Sequence, residues 1–181
     1  MSPDLNAGAC SLCIVGVGNT LAGDDGAGNR AVSRLREKYG GRKEILFHNM
    51  ETDPLELWDL LPRCGRFIFL DAVAGRPTGR LVSVGKRSAR RAYAPSLHHM
   101  DLPTVVRHLS SLRDLDDLQW SIWGVTIEIP ERLTEELTPA VSRAVDDLVG
   151  ILSERIETGE LSVDAPGSFE RLDEELHGSF T

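Results

Sequence analysis

The chain has 181 residues, 41% of them hydrophobic and 27% charged, with a formal net charge of −8. That is enough length for one hydrophobic core and an ordinary composition for a soluble globular domain, with no apolar run approaching membrane-spanning length. The charge is uneven: seven acids against Arg171 alone put residues 157–181 at −6, leaving −2 on residues 1–156.

Residues 1–11 read as a short polar leader without the basic-then-apolar pattern of an export signal, so a cytoplasmic location is expected. Three cysteines fit a reducing compartment, with Cys13 expected as a buried thiol and Cys64 lacking an evident partner. Leu12 to Val17 predicts a buried strand, and Gly26 to Tyr39 a helix with Ala27, Ala31, Val32, Leu35 and Tyr39 on one face. Gly40 and Gly41 stop it. Ile45 to Phe47 predicts a second strand. Asp53 and Pro54 open a short helix reaching about Leu61, with Leu55, Trp58 and Leu61 inward.

The run Phe67-Ile68-Phe69-Leu70 predicts a central strand covered on both faces and ending at Asp71. Leu81 to Val84 is a fourth strand. An Arg-, Ser- and Ala-rich loop then leads to His98-His99-Met100-Asp101 and a helix with Leu102, Val105, Val106, Leu109 and Leu112 on one side. Trp120 to Val125 predicts a fifth strand. Thr138 and Pro139 open a last helix with a stripe from Val141 to Ile156. Residues 157–181 read as an acidic, disordered tail, in which Leu172 and Leu176 could form one helical turn. Strands alternating with helices over residues 12–156 predict one α/β domain with helices on both faces of the sheet.

The stretch from Gly16 to Gly28 stands out. It leaves a strand through Gly16, Gly18 and Asn19 and delivers Asp24 and Asp25 into a glycine-bracketed loop before a helix. Loops at the carboxyl ends of strands are where open α/β sheets place their chemistry. A dinucleotide fingerprint fails here, because Leu21 stands at the third glycine position and two carboxylates oppose a pyrophosphate. The basic stretch from Arg76 to Arg91 is too small and too poor in aromatics for nucleic acid. A helix-capping role accounts for one aspartate of the pair.

In a mainly parallel sheet, Asp24, Asp25, Asp71 and His98 or His99 all fall on one rim. Two carboxylates and an imidazole form a ligand set with open coordination positions, suited to zinc, nickel, manganese or iron. Each residue also has a plainer reading as a cap or a loop residue.

The segment Gly16-Val17-Gly18-Asn19-Thr20-Leu21 with Asp24-Asp25-Gly26 resembles the signature of the hydrogenase maturation endopeptidases. The similarity continues at Phe69-Leu70-Asp71-Ala72-Val73, at Ser96-Leu97-His98-His99-Met100 and from Gly124-Val125 into the Thr138-Pro139 helix, covering residues 12–156. Leu97 replaces the family's proline, and the usual glycines around Thr52 are absent, which suggests a distinct substrate subgroup.

The resemblance implies a three-layer α/β/α, phosphorylase/hydrolase-like fold with a mainly parallel five-stranded sheet. It implies an endopeptidase that trims the C-terminal extension of a nickel-loaded [NiFe]-hydrogenase large-subunit precursor. It matches Asp25, Asp71 and His98 to the metal-contacting residues, the metal being nickel in the precursor, with zinc or another divalent ion also possible. Asp24 is then the nearest spare carboxylate for a general base, and Asn19 a donor to a developing oxyanion. The expected partner is that precursor, acting with a monomeric protease and neither nucleic acid nor membrane. The alternatives are a non-proteolytic metal- or precursor-binding assembly chaperone and a doubly wound nucleotide-binding module. The acidic tail is either inert or rests on the Arg76–Arg91 surface and competes with substrate.

Overall fold

The computed structural model describes residues 10–51, 53, 55–84 and 102–172. Strand β1 (Leu12–Val17) is followed by a 3-10 turn (Gly23–Gly26), α1 (Ala27–Tyr39) and β2 (Ile45–Met50). Helix α2 (Glu56–Leu60) runs into a second 3-10 turn (Leu61–Arg63) and β3 (Arg66–Ala74). Then come β4 (Leu81–Val84), α3 (Leu102–Leu112), β5 (Gln119–Ile127), α4 (Pro139–Thr158) and β6 (Glu170–Leu172). The sheet order is β2-β1-β3-β5-β4-β6. Strands β2, β1, β3 and β5 are mutually parallel, while β4 runs antiparallel to β5.

Side-chain alternation along the central strands divides the core into two layers. Ile14, Ile68, Leu70, Trp123 and Val125 pack against α1 and α4 on one face. Cys13, Val15, Phe67, Phe69 and Ile122 pack against α2 and α3 on the other. The expected three-layer α/β/α arrangement with a mostly parallel sheet is therefore present. Helix α4 opens on Pro139 after an extended Thr138 and closes on Gly159, whose φ of 77° is left-handed.

Several expectations are corrected. The sheet has six strands, because residues expected to be disordered supply β6, which pairs in parallel with β4 through Val82–Glu170, Ser83–Arg171 and Val84–Leu172. Leu172 is therefore in a strand rather than a helical turn. The tail folds because Val163 and Phe169 bury against Trp123. The Trp123 indole N–H, buried and in need of an acceptor, donates to Val163 O at 3.2 Å. Arg66 and Arg155 hold the same segment through the carbonyls of Leu161 at 3.0 Å and Asp164 at 2.7 Å. A low apolar content thus concealed two well-placed anchors.

Glu170 meets Arg80 at 2.7 Å, so the acidic tail does touch the basic stretch there. β6 then follows β4 away from the carboxyl rim of the parallel strands. Residues 85–101 and 173–181 lie outside the described residues. Helix α2 is shorter than predicted, and Leu55 and Trp58 face out rather than in, as does Leu112 at the end of α3. Cys64 has a partner after all. The chain entering β1 runs parallel to the chain entering β3, bringing Cys10 and Cys64 together as a disulfide with Cα atoms 4.9 Å apart.

Candidate functional site at the carboxyl rim

The rim is built on a close approach of backbone to backbone. A Cβ on Gly28 would lie 1.9 Å from Leu70 O and 2.8 Å from Val17 O, so the first turn of α1 rests directly on the ends of β1 and β3. A Cβ on Gly18, whose φ is +123°, would lie 2.0 Å from Asp25 O. The loop leaving β1 can fold back on itself only because these two positions have no side chain.

Asn19 organises the turn that follows. Its Oδ1 accepts the Leu21 N–H at 2.9 Å, an Asx turn, and its own N–H donates to Asp25 Oδ2 at 2.8 Å. Asp25 is half-buried, and among the described residues no hydrogen bond reaches its Oδ1. The Asn19 amide Nδ2, the donor expected to serve an oxyanion, likewise has no hydrogen-bond partner among the described residues.

Asp24 is placed differently from its neighbour. It is buried, and its two oxygens accept from Thr138: Oδ1 from the backbone N–H at 2.7 Å and Oδ2 from the hydroxyl at 2.9 Å. Thr138 is the N-cap of α4, so Asp24 ties the 3-10 turn to the start of that helix. Charge-assisted hydrogen bonds of this kind account for one of the paired acids. They compete with the general-base role expected for Asp24, because both oxygens are engaged with the fold.

Asp71 lies inside β3 rather than at its end, opposite Gly124 of β5. β3 runs on to Ala74 because β5 continues beside it to Ile127. β1 pairs with β3 only as far as Gly16–Leu70, so Asp71 sits where β1 leaves the sheet. Strand alternation puts it on the face of Phe69 and Val73, the layer that includes Leu102 at the start of α3. It is buried, with Oδ1 accepting the Ala72 N–H at 2.8 Å. Asp25, in the turn after β1, and Asp71, in β3 just beyond its last pairing with β1, thus both lie toward the carboxyl rim. His98 and His99 lie outside the described residues. Among those described, no group of three or more His, Cys, Asp or Glu is placed to hold a metal ion.

The cysteines provide no thiolate. Cys13 is fully buried, and burial pushes its thiol up to about 12, while Cys10 and Cys64 are joined. Two contributors escaped the sequence reading. Asn29 is fully buried and donates from Nδ2 to Gly18 O at 2.6 Å, fastening the loop to α1; its Oδ1 is buried without a partner. Thr138 was recognised as a helix opener but not as the partner of Asp24. An amide set between Gly28 and Arg30 at the start of a helix was the available signal for Asn29; nothing in the sequence links Asp24 to a residue 114 positions away.

Comparison with known proteins gives a consistent picture. The family model described as HycI, hydrogenase maturation protease, matches residues 29–155. The chain is 26% identical over 168 residues to the hydrogenase expression/formation protein HupD of Thiocapsa roseopersicina, covering 86% of this chain and 75% of that protein. Its fold resembles the [NiFe] hydrogenase maturation protease HycI of Thermococcus kodakarensis KOD1, with a TM-score of 0.67 and 20% identity over 85% of this chain and 97% of that one. The maturation protease HybD of Thermococcus kodakarensis gives a TM-score of 0.63 and 25% identity, covering 80% of this chain and 97% of that one.

Proposed function

This chain belongs to the hydrogenase maturation protease family, and from that premise we propose that it removes the C-terminal extension of a nickel-loaded [NiFe]-hydrogenase large-subunit precursor. The observation that supports the proposal is that Asp71, in β3 just beyond its last pairing with β1, and Asp25, in the turn that follows β1, both lie toward the carboxyl rim. Asp25 keeps one oxygen on the Asn19 N–H and leaves the other without a hydrogen bond among the described residues, a donor suited to a divalent ion arriving with a substrate.

The nickel is cargo of the substrate. Asp25, Asp71 and His98 are the residues proposed to contact it, and when bound it would polarise the scissile carbonyl beside it. The protein's own groups do the rest. The Asx turn at Asn19 and the bond from Asn29 to Gly18 hold Asp25 in a fixed position, so contact with the precursor requires little rearrangement. The Asn19 Nδ2 can donate to negative charge developing on the carbonyl oxygen. Asp24, through Thr138, keeps the turn seated. Action as a monomer in the cytoplasm belongs to the same proposal; no helix among the described residues is long and apolar enough to cross a membrane.

The test is to incubate the protein with large-subunit precursors in nickel-loaded and nickel-free forms and follow the precursor mass. Release of a C-terminal peptide from the loaded form alone, lost in Asp25→Ala, supports the proposal. Stable complexes without mass loss would favour an assembly chaperone.

A further inference from the structure

Beyond the carboxylates, the rim carries an apolar lip. The chain after β5 returns beside the acidic loop through an isolated parallel bridge between Ala22 and Thr134. Thr134 N–H donates to Leu21 O at 2.9 Å and Gly23 N–H donates to Thr134 O at 2.6 Å. This register sets Leu21 beside Leu133, with Ile129 earlier on the same segment. The three side chains are 55%, 76% and 55% exposed, although the backbone carrying Leu21 and Leu133 is pinned. They are half of the six large exposed hydrophobics among the described residues. Apolar side chains held outward next to a candidate site mark a contact surface.

The charge around them is predominantly acidic. Glu131, Glu135 and Glu136 are exposed on the same segment, with Arg132 as its one base. Arg76 is neutralised by Glu128 at 3.2 Å, whereas Arg30 donates to the Glu135 carbonyl at 2.6 Å and keeps its positive charge beside the segment, so the three glutamates outnumber Arg132 and Arg30. Asp25 extends the acidic field toward the rim. A partner of opposite charge and matching apolar character fits this lip, and an acidic polypeptide does not.

We propose that the lip formed by Leu21, Ile129 and Leu133, edged by Glu131, Glu135 and Glu136, docks a basic, apolar peptide segment of the substrate flanking the bond to be cut. This deepens the proposed endopeptidase function and rests on it for the identity of the substrate. The segment lies against side chains that the fold holds in place. Loss of its contacts should weaken binding in the ground state and transition state alike, raising KM while leaving kcat in place.

Two measurements test this and separate it from the endopeptidase reading. The first is fluorescence anisotropy of the whole protein with short labelled peptides rich in Leu and Arg, or in Leu and Glu. The Arg peptide should bind and the Glu peptide should not. The double variant Leu21→Ser/Leu133→Ser should weaken binding about tenfold, and Glu131→Lys/Glu135→Lys/Glu136→Lys should invert the preference. Equal binding of both peptides, no binding of either, or unchanged binding by the serine variant overturns the lip. The second is steady-state processing of a nickel-loaded precursor, in which the serine variant should raise KM about tenfold with kcat within about twofold. A serine variant with wild-type KM overturns the proposal. If the wild type cuts no precursor yet shows the peptide preference, the lip stands and the endopeptidase reading falls.

Discussion

Replacing Asp24 separates two roles that the adjacent carboxylates cannot both fill. In Asp24→Ala, the Thr138 N–H and hydroxyl lose partners at 2.7 and 2.9 Å, and the start of α4 loses a buried anion. A hydrogen bond to a charged group contributes about 1.5–3 kcal/mol, and an acid near a helix N-terminus up to about 1 kcal/mol more. These contributions overlap, so a loss of about 3 kcal/mol is expected, or a drop of about 6–12 °C in Tm for a chain of this size. Asp24→Asn keeps the shape: Oδ1 can still accept the Thr138 N–H, and Nδ2 can donate to the hydroxyl oxygen. It should cost about 1 kcal/mol and leave processing within a few-fold of wild type. Denaturant unfolding gives the stabilities and precursor mass gives the processing rate. A general base would give the opposite pattern, because Asp24→Asn would lose about 10²–10⁴-fold in rate with stability nearly intact. That result would refute the anchoring role and restore Asp24 as the base.

Gly28→Ala places a methyl 1.9 Å from Leu70 O and should cost at least about 3 kcal/mol, read as a collapse of the thermal transition. Truncation after Gly159 removes Val163 and Phe169 from Trp123 and strips the acceptor from its indole N–H; the two lost side chains and the unpaired donor together predict a loss of about 4–6 kcal/mol in urea unfolding. Burial raises the Cys13 thiol from 9.0 to about 12, so above pH 9 the unfolded chain releases this proton while the folded one retains it. Stability should therefore fall as pH rises through that window, by about 4 kcal/mol when complete, and Cys13→Ala should show a shallower alkaline decline than wild type in pH-dependent unfolding.

Much of this was legible in the sequence because it follows local rules. The apolar run Phe67–Leu70 marks a strand covered on both sides, and the Ala27–Tyr39 periodicity marks a helix that packs on one face. The loop with Asp24 and Asp25 leaves β1 at the carboxyl rim because parallel strands all end on one side of the sheet. What escaped depends on contacts distant in sequence. Nothing local announces that Cys10 lies beside Cys64 or that Asp24 reaches Thr138. Asp71 lies within its strand because a neighbouring strand is long, which its own flanking residues do not reveal. The tail was misjudged because composition averages over residues: Val163 and Phe169 suffice once Trp123 offers a surface to cover.

The rim carboxylates Asp25 and Asp71 are proposed to contact the nickel carried by the precursor. The most direct measurement is the affinity of wild type, Asp25→Asn and Asp71→Asn for one large-subunit precursor, nickel-loaded and nickel-free, by titration under conditions too brief for turnover. Wild type should favour the loaded form by about tenfold or more, the scale of one lost ligand contact, and that preference should vanish in both variants while binding to the nickel-free form stays the same. A nickel preference that survives both substitutions would contradict the account.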